Sequence, residues 1–131
     1  MRLLLDTHIA VWAVAGHPRL SSRALALIAD PANEALVSVA SLWEIAIKYV
    51  LTPKGQASMP ISAGQAQRFF HEAGFRILDI GATHAIAVET LPPLHADPFD
   101  RIIVAQALTE PARLITHDAK VASYSDTIIA V

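Results

Sequence analysis

The chain has 131 residues, of which 53% are apolar and 17% charged, with a mean hydropathy of +0.42. A chain this apolar can bury enough surface to offset its ordering entropy, which excludes intrinsic disorder. The longest stretches without a charge, Thr7–Pro18 and Gly55–Gln67, have 12 and 13 residues, short of the roughly 18 apolar residues a membrane span needs. The net charge is −2, which speaks against a general nucleic-acid coat. Cysteine is absent, so neither a disulfide framework nor a thiolate zinc site is expected. Asp6 interrupts the apolar N-terminus too early for a secretory signal, so a cytoplasmic protein is expected. The length suits a single domain spanning 1–131.

In chain order, Leu3–Leu5 reads as a short buried strand. Thr7–Ala15 reads as a helix, with Ile9, Trp12 and Ala13 on one side, broken by Gly16 and Pro18. Ser21 or Ser22 can cap a helix running to Ala29. Ala35–Val39 is strand-like, and Ala40–Leu51 is a strongly apolar helix. Thr52–Pro60 is a loop. Ser62–Ala73 is helical and ends at Gly74. A strand over Phe75–Ile80 and a helix over Ala82–Leu91 follow. Pro92 and Pro93 open a second loop. Asp97 and Pro98 start a helix to Thr109. Arg113–Thr116 is a strand, Ala119–Ser123 a short helix and Thr127–Val131 a last strand. This alternation predicts an α/β fold with a mostly parallel sheet covered on both faces.

There are only 12 acidic residues, so their positions are informative. Asp6 and Asp118 directly follow strands, where open parallel sheets bind ligands. Asp100 lies in a first helical turn, and Glu44 inside the most apolar helix. Each also has a simpler explanation. Asp6 and Asp118 can cap helices, Asp100 can face a helix dipole, and Glu44 can pair with Lys48 four residues on. If the fold gathers all four, their repulsion calls for a hard divalent cation such as Mg²⁺ or Mn²⁺. Such an ion activates water for displacement at phosphorus. Asp97 reads first as an N-cap, with Pro98 at the first helical position. Arg101 suits either a phosphate clamp or a partner for a neighbouring acid. His95 and His117 flank the acidic motifs. For Trp12 and Trp43, core or dimer packing is favoured over base stacking.

Four runs carry a family pattern: Leu4-Leu5-Asp6-Thr7-His8, Ser41-Leu42-Trp43-Glu44-Ile45-Ala46-Ile47-Lys48, His95-Ala96-Asp97-Pro98-Phe99-Asp100-Arg101 with Ala105-Gln106-Ala107, and Thr116-His117-Asp118. Across essentially the whole chain they resemble the PIN-domain ribonucleases, in particular VapC-like toxins of type II toxin–antitoxin pairs. The resemblance implies a three-layer α/β/α sandwich and a Mg²⁺- or Mn²⁺-dependent endoribonuclease. It places Asp6, Glu44, Asp100 and Asp118 as the catalytic, metal-holding set, with Asp6 and Asp100 as the foremost ligands. Thr116 would bond a carboxylate or water nearby. The implied partners are an RNA substrate, a cognate antitoxin and a second copy of the chain. The stretch Leu51-Thr52-Pro53-Lys54-Gly55-Gln56-Ala57-Ser58 departs from the glycine- and lysine-rich segment common in relatives. A catalytically inactive binding module is the alternative. A phosphoacceptor receiver fits worse, because no acid neighbours Asp6.

Overall fold

The computed structural model describes residues 1–53 and 59–131; most of the departing stretch, 54–58, lies outside them. Five strands alternate with seven helices among the described residues: β1 (Arg2–Leu5), α1 (Thr7–Ala15), α2 (Ser22–Ala29), β2 (Glu34–Ser38), α3 (Val39–Leu51), α4 (Ala63–Glu72), β3 (Arg76–Leu78), α5 (Ala82–Ala87), α6 (Pro98–Thr109), β4 (Arg113–Thr116), α7 (Ala119–Ala122) and β5 (Ile129–Ala130). A single 3-10 turn, Val88–Thr90, follows α5.

The boundaries follow local chemistry. Asp6, Ser21, Ser38, Ser62, Asp97 and Asp118 each cap a helix with a side-chain oxygen. Ser62 and Gln65 form a reciprocal capping box. Gly16 closes α1 at φ +62°, a left-handed conformation that glycine adopts without Cβ strain. One expected strand is shifted by a residue and two are shorter than read: β2 runs Glu34–Ser38. Val39 starts α3, because Ser38 caps it; β3 keeps three residues and β5 two. The latter two are the edge strands, each with one neighbour to pair with.

The sheet is parallel throughout, in the order β3-β2-β1-β4-β5. Side chains of the central strands alternate between two cores. Leu3, Leu5, Ala35, Val37 and Ile115 pack on one face with residues of α1, α3 and α4, and Leu20, Leu27 and Ile28 extend this layer. Leu4, Leu36 and Leu114 pack on the other with Ile103, Val104 and Ala107 of α6 and Val121 of α7. The result is a three-layer α/β/α sandwich. The chain builds outward from β1 to β3, then crosses to β4 on the other side of β1. The strand order therefore switches between β1 and β4, where adjoining loops part and leave a crevice at the carboxyl ends.

Among the described residues, no helix is long and apolar enough to cross a membrane.

A candidate metal centre at the strand switch point

A cleft of about 420 Å³ opens at this crevice, lined by Asp6, Glu44, Asp97, Asp100 and Asp118 with Lys48, His95 and other residues. Acids separated by tens of residues thus share one space. Asp6 leaves the end of β1 and is nearly buried. Its Oδ1 accepts the Thr7 amide at 2.8 Å and its Oδ2 the Thr116 hydroxyl at 2.6 Å. Thr116, at the end of β4, also accepts the Asp118 amide at 3.0 Å. One hydroxyl therefore ties together the acids that follow β1 and β4. Asp118 caps α7 with Oδ1, taking the Lys120 amide at 2.8 Å, and turns Oδ2 to His95 Nε2 at 3.2 Å. Asp97 caps α6 through the Phe99 amide, so its capping role is realised while its side chain still lines the cleft. That cap starts the turn carrying Asp100.

His95 bridges the two sides. Its Nδ1 accepts the Asp97 amide at 3.0 Å, so the proton sits on Nε2. Nε2 lies 3.1 Å from Asp100 Oδ2 and 3.2 Å from Asp118 Oδ2. The ligand atoms of His95, Asp100 and Asp118 all fall within 4.8 Å of one another. Asp6 and Glu44 line the same cleft outside this tight trio.

Glu44 is 3% exposed. Its Oε2 receives Lys48 Nζ at 2.6 Å, the expected helix pair, but its buried Oε1 has no partner among the described residues. An orphaned buried carboxylate oxygen is costly and calls for a donor or cation. The protonation pattern agrees. Burial raises the Asp6 carboxyl above its usual range, against the hydrogen bonds from Thr116 and Thr7. Burial, then the charges of Asp6, Asp97 and Glu44, pushes Asp100 up to about 7, with His95 opposing. Burial also disfavours the Asp118 charge, but the Lys120 and Val121 amides and His95 outweigh it, and its pKa is lowered. Crowded oxygen donors that resist ionising without a counter-charge fit a hard divalent cation.

Arg101 fills neither role read for it. Its guanidinium donates to the carbonyls of Val88, Leu91, Pro92 and His95 and to the Tyr124 hydroxyl. Both terminal nitrogens of the fork are taken up by these carbonyls and the hydroxyl, and they hold the segment carrying His95 rather than a phosphate or an acid. Trp43 is 61% exposed and packs edge-on to Phe99, so it lies outside the core. Two supports lie in the family runs but were given no role by the sequence. Gln106, fully buried in α6, bonds Ser38 and the Asp79 carbonyl and so fixes the helix carrying Asp100. The buried hydroxyls of Thr7 and Ser41 meet at 2.8 Å and join α1 to α3 beneath Asp6 and Glu44. A glutamine amid Val104, Ala105 and Ala107 was the available signal for the first; for the second, nothing local pairs Thr7 with Ser41.

Fold and cleft together define a class: a three-layer α/β/α protein with an acidic centre at the carboxyl ends of its middle strands. The PIN domain family profile matches residues 3–126, and the chain belongs to that family. It is 32% identical over 122 residues to ribonuclease VapC22 of Mycobacterium tuberculosis, covering 93% of this chain and 91% of that protein. VapBC2 from Rickettsia felis, solved bound to a promoter DNA fragment, matches with a TM-score of 0.69 at 23% identity, over 100% of this chain and 98% of that one. A toxin–antitoxin complex from Klebsiella pneumoniae matches with a TM-score of 0.65 at 22% identity, over 98% and 96% of the two chains. These two structural likenesses speak for the shared fold.

Proposed function

We propose that the protein is a divalent-metal-dependent endoribonuclease acting as the toxin of a toxin–antitoxin pair. The observation that carries the metal site is the gathering of Asp6, Glu44, Asp100 and Asp118 in one cleft, with a buried Glu44 oxygen left unpartnered. Similarity to ribonuclease VapC22 supports the substrate class. Asp6 and Asp100 would hold Mg²⁺ or Mn²⁺, and Glu44 and Asp118 would complete the site or orient the attacking water. When bound, the ion would polarise water and offset charge developing at phosphorus. Thr116 fixes Asp6 and the Asp118 loop, and the Asp97 cap and Gln106 fix Asp100. His95, a donor to Asp100 and Asp118, holds the two carboxylates together and would stand beside a bound ion.

The partners follow from the same resemblance. Structural relatives include toxin–antitoxin complexes, and we assign a cognate antitoxin and a second copy of the chain as partners. Trp43, Ile47, Val50 and Leu51 form an exposed apolar stripe along α3, of the kind that marks a protein-covered surface. The decisive experiment is cleavage of total RNA by purified protein, with ends mapped. Mg²⁺ or Mn²⁺ should support cleavage and excess EDTA abolish it; undiminished activity in EDTA would refute the metal site.

A further inference from the structure

The rest of the cleft lining is cationic and aromatic. His8, Trp12, Arg19 and His117 line it beside the acids. They come from three places: α1 supplies His8 and Trp12, the turn after α1 supplies Arg19, and the residue after β4 supplies His117. Trp12 is their hub. Its indole stacks on His17 at 5.6 Å and 23°, lies 5.8 Å from His8, and meets His117 edge-on at 5.5 Å. The Arg19 guanidinium carbon lies 5.2 Å from the Trp12 ring centroid.

Core packing accounts for Trp12, which is half-buried against the α1 side of the sheet. It does not account for the surrounding rings, which are exposed yet oriented. His17 Nδ1 accepts the Arg19 amide at 3.1 Å, and His117 Nδ1 donates to the Val131 carbonyl at 3.0 Å. The two cations of the cleft also differ. Lys48 is neutralised by Glu44, whereas Arg19 makes no ion pair among the described residues and rests on the indole instead. An oriented, unneutralised guanidinium thus stands beside a concentration of carboxylates that repels phosphate.

We propose that this corner is a nucleotide subsite for the RNA strand flanking the cut. Arg19 takes a backbone phosphate through its fork of donors, and the His8 and His117 rings, backed by Trp12, stack on the adjacent base. The proposal rests on the ribonuclease reading above.

The chain has two tryptophans, so Trp43→Phe leaves Trp12 as the sole indole reporter. Titrating that variant in EDTA with a short single-stranded RNA of mixed sequence should quench Trp12 fluorescence saturably. Adding Arg19→Gln should weaken binding roughly tenfold and slow cleavage of total RNA at low substrate, while Mn²⁺ affinity stays unchanged. An indole silent to RNA, or equal binding by the Arg19→Gln variant, overturns the subsite while wild-type cleavage leaves the nuclease reading standing. A wild-type protein that cleaves no RNA with Mg²⁺ or Mn²⁺ overturns both.

Discussion

The two halves of the cleft are held in opposite ways. Asp6 and Glu44 are nearly buried, and Asp6, Asp97 and Asp118 are pinned by backbone amides and the Thr116 hydroxyl. Around the half-buried Trp12, the histidine rings and Arg19 stand in solvent, ordered by ring contacts and two backbone hydrogen bonds. Rigid donors suit an ion whose geometry must be met closely. Exposed rings and a guanidinium suit a strand that enters and leaves. The acids store electrostatic repulsion in the folded state.

The sharpest way to break the contrast is to remove an acid. Asp6→Asn or Asp100→Asn should reduce RNA cleavage to background and remove toxicity on induction, with far-UV circular dichroism unchanged; wild-type-like cleavage by either would sink the assignment. Next comes Thr116→Val, which deletes the hydroxyl bonding Asp6 and accepting from Asp118. A cost of about 1–3 kcal/mol in urea unfolding is expected, with a loss of roughly 10–100-fold in cleavage, as for residues that support metal ligands.

Burial and, after it, the stored repulsion are visible in pH. Asp100 is pushed up to about 7, well above the usual carboxylate range, so the folded protein holds this proton more tightly than the unfolded chain. The stability this contributes is complete below about pH 4 and lost as pH rises through 7. Asp118, whose pKa is lowered, acts in the opposite sense and at lower pH. The metal-free melting temperature should therefore fall between pH 5 and 8, and Asp100→Asn should flatten that fall. Saturating Mn²⁺ should restore the wild type at pH 8, by about 2.7 kcal/mol at a hundred times its Kd. A wild-type curve no steeper than that of Asp100→Asn would contradict the raised Asp100 pKa. The smallest effect is expected on the apolar stripe. Val50→Glu, at a site 80% exposed, should change monomer stability by no more than about 0.5 kcal/mol. Sedimentation should show loss of self-association; an unchanged dimer would place the interface elsewhere.

Much of the fold was legible because its signals are local. A capping side chain bonds an amide two or three residues on, and Ser62 with Gln65 or Asp97 with Pro98 can be read in place. The strands β3 and β5 were read too long, because pairing with a single neighbour, not β propensity, sets where an edge strand ends. Arg101 shows the same limit at the site. Beside Asp100 in sequence it suggested a clamp, but the carbonyls it bonds belong to a segment that returns only in the fold.

The sequence by itself determined the alternation of strands and helices, the caps, and the identity of the acids, because each depends on neighbours along the chain. Only the tertiary structure decided that four carboxylates share one cleft, that His95 bridges two of them, and that Glu44 keeps an unpartnered oxygen. Spacings of 38, 56 and 18 residues separate Asp6, Glu44, Asp100 and Asp118. Their convergence depends on the switch in strand order beside β1, and burial there turns ordinary helix caps into mutually repelling charges.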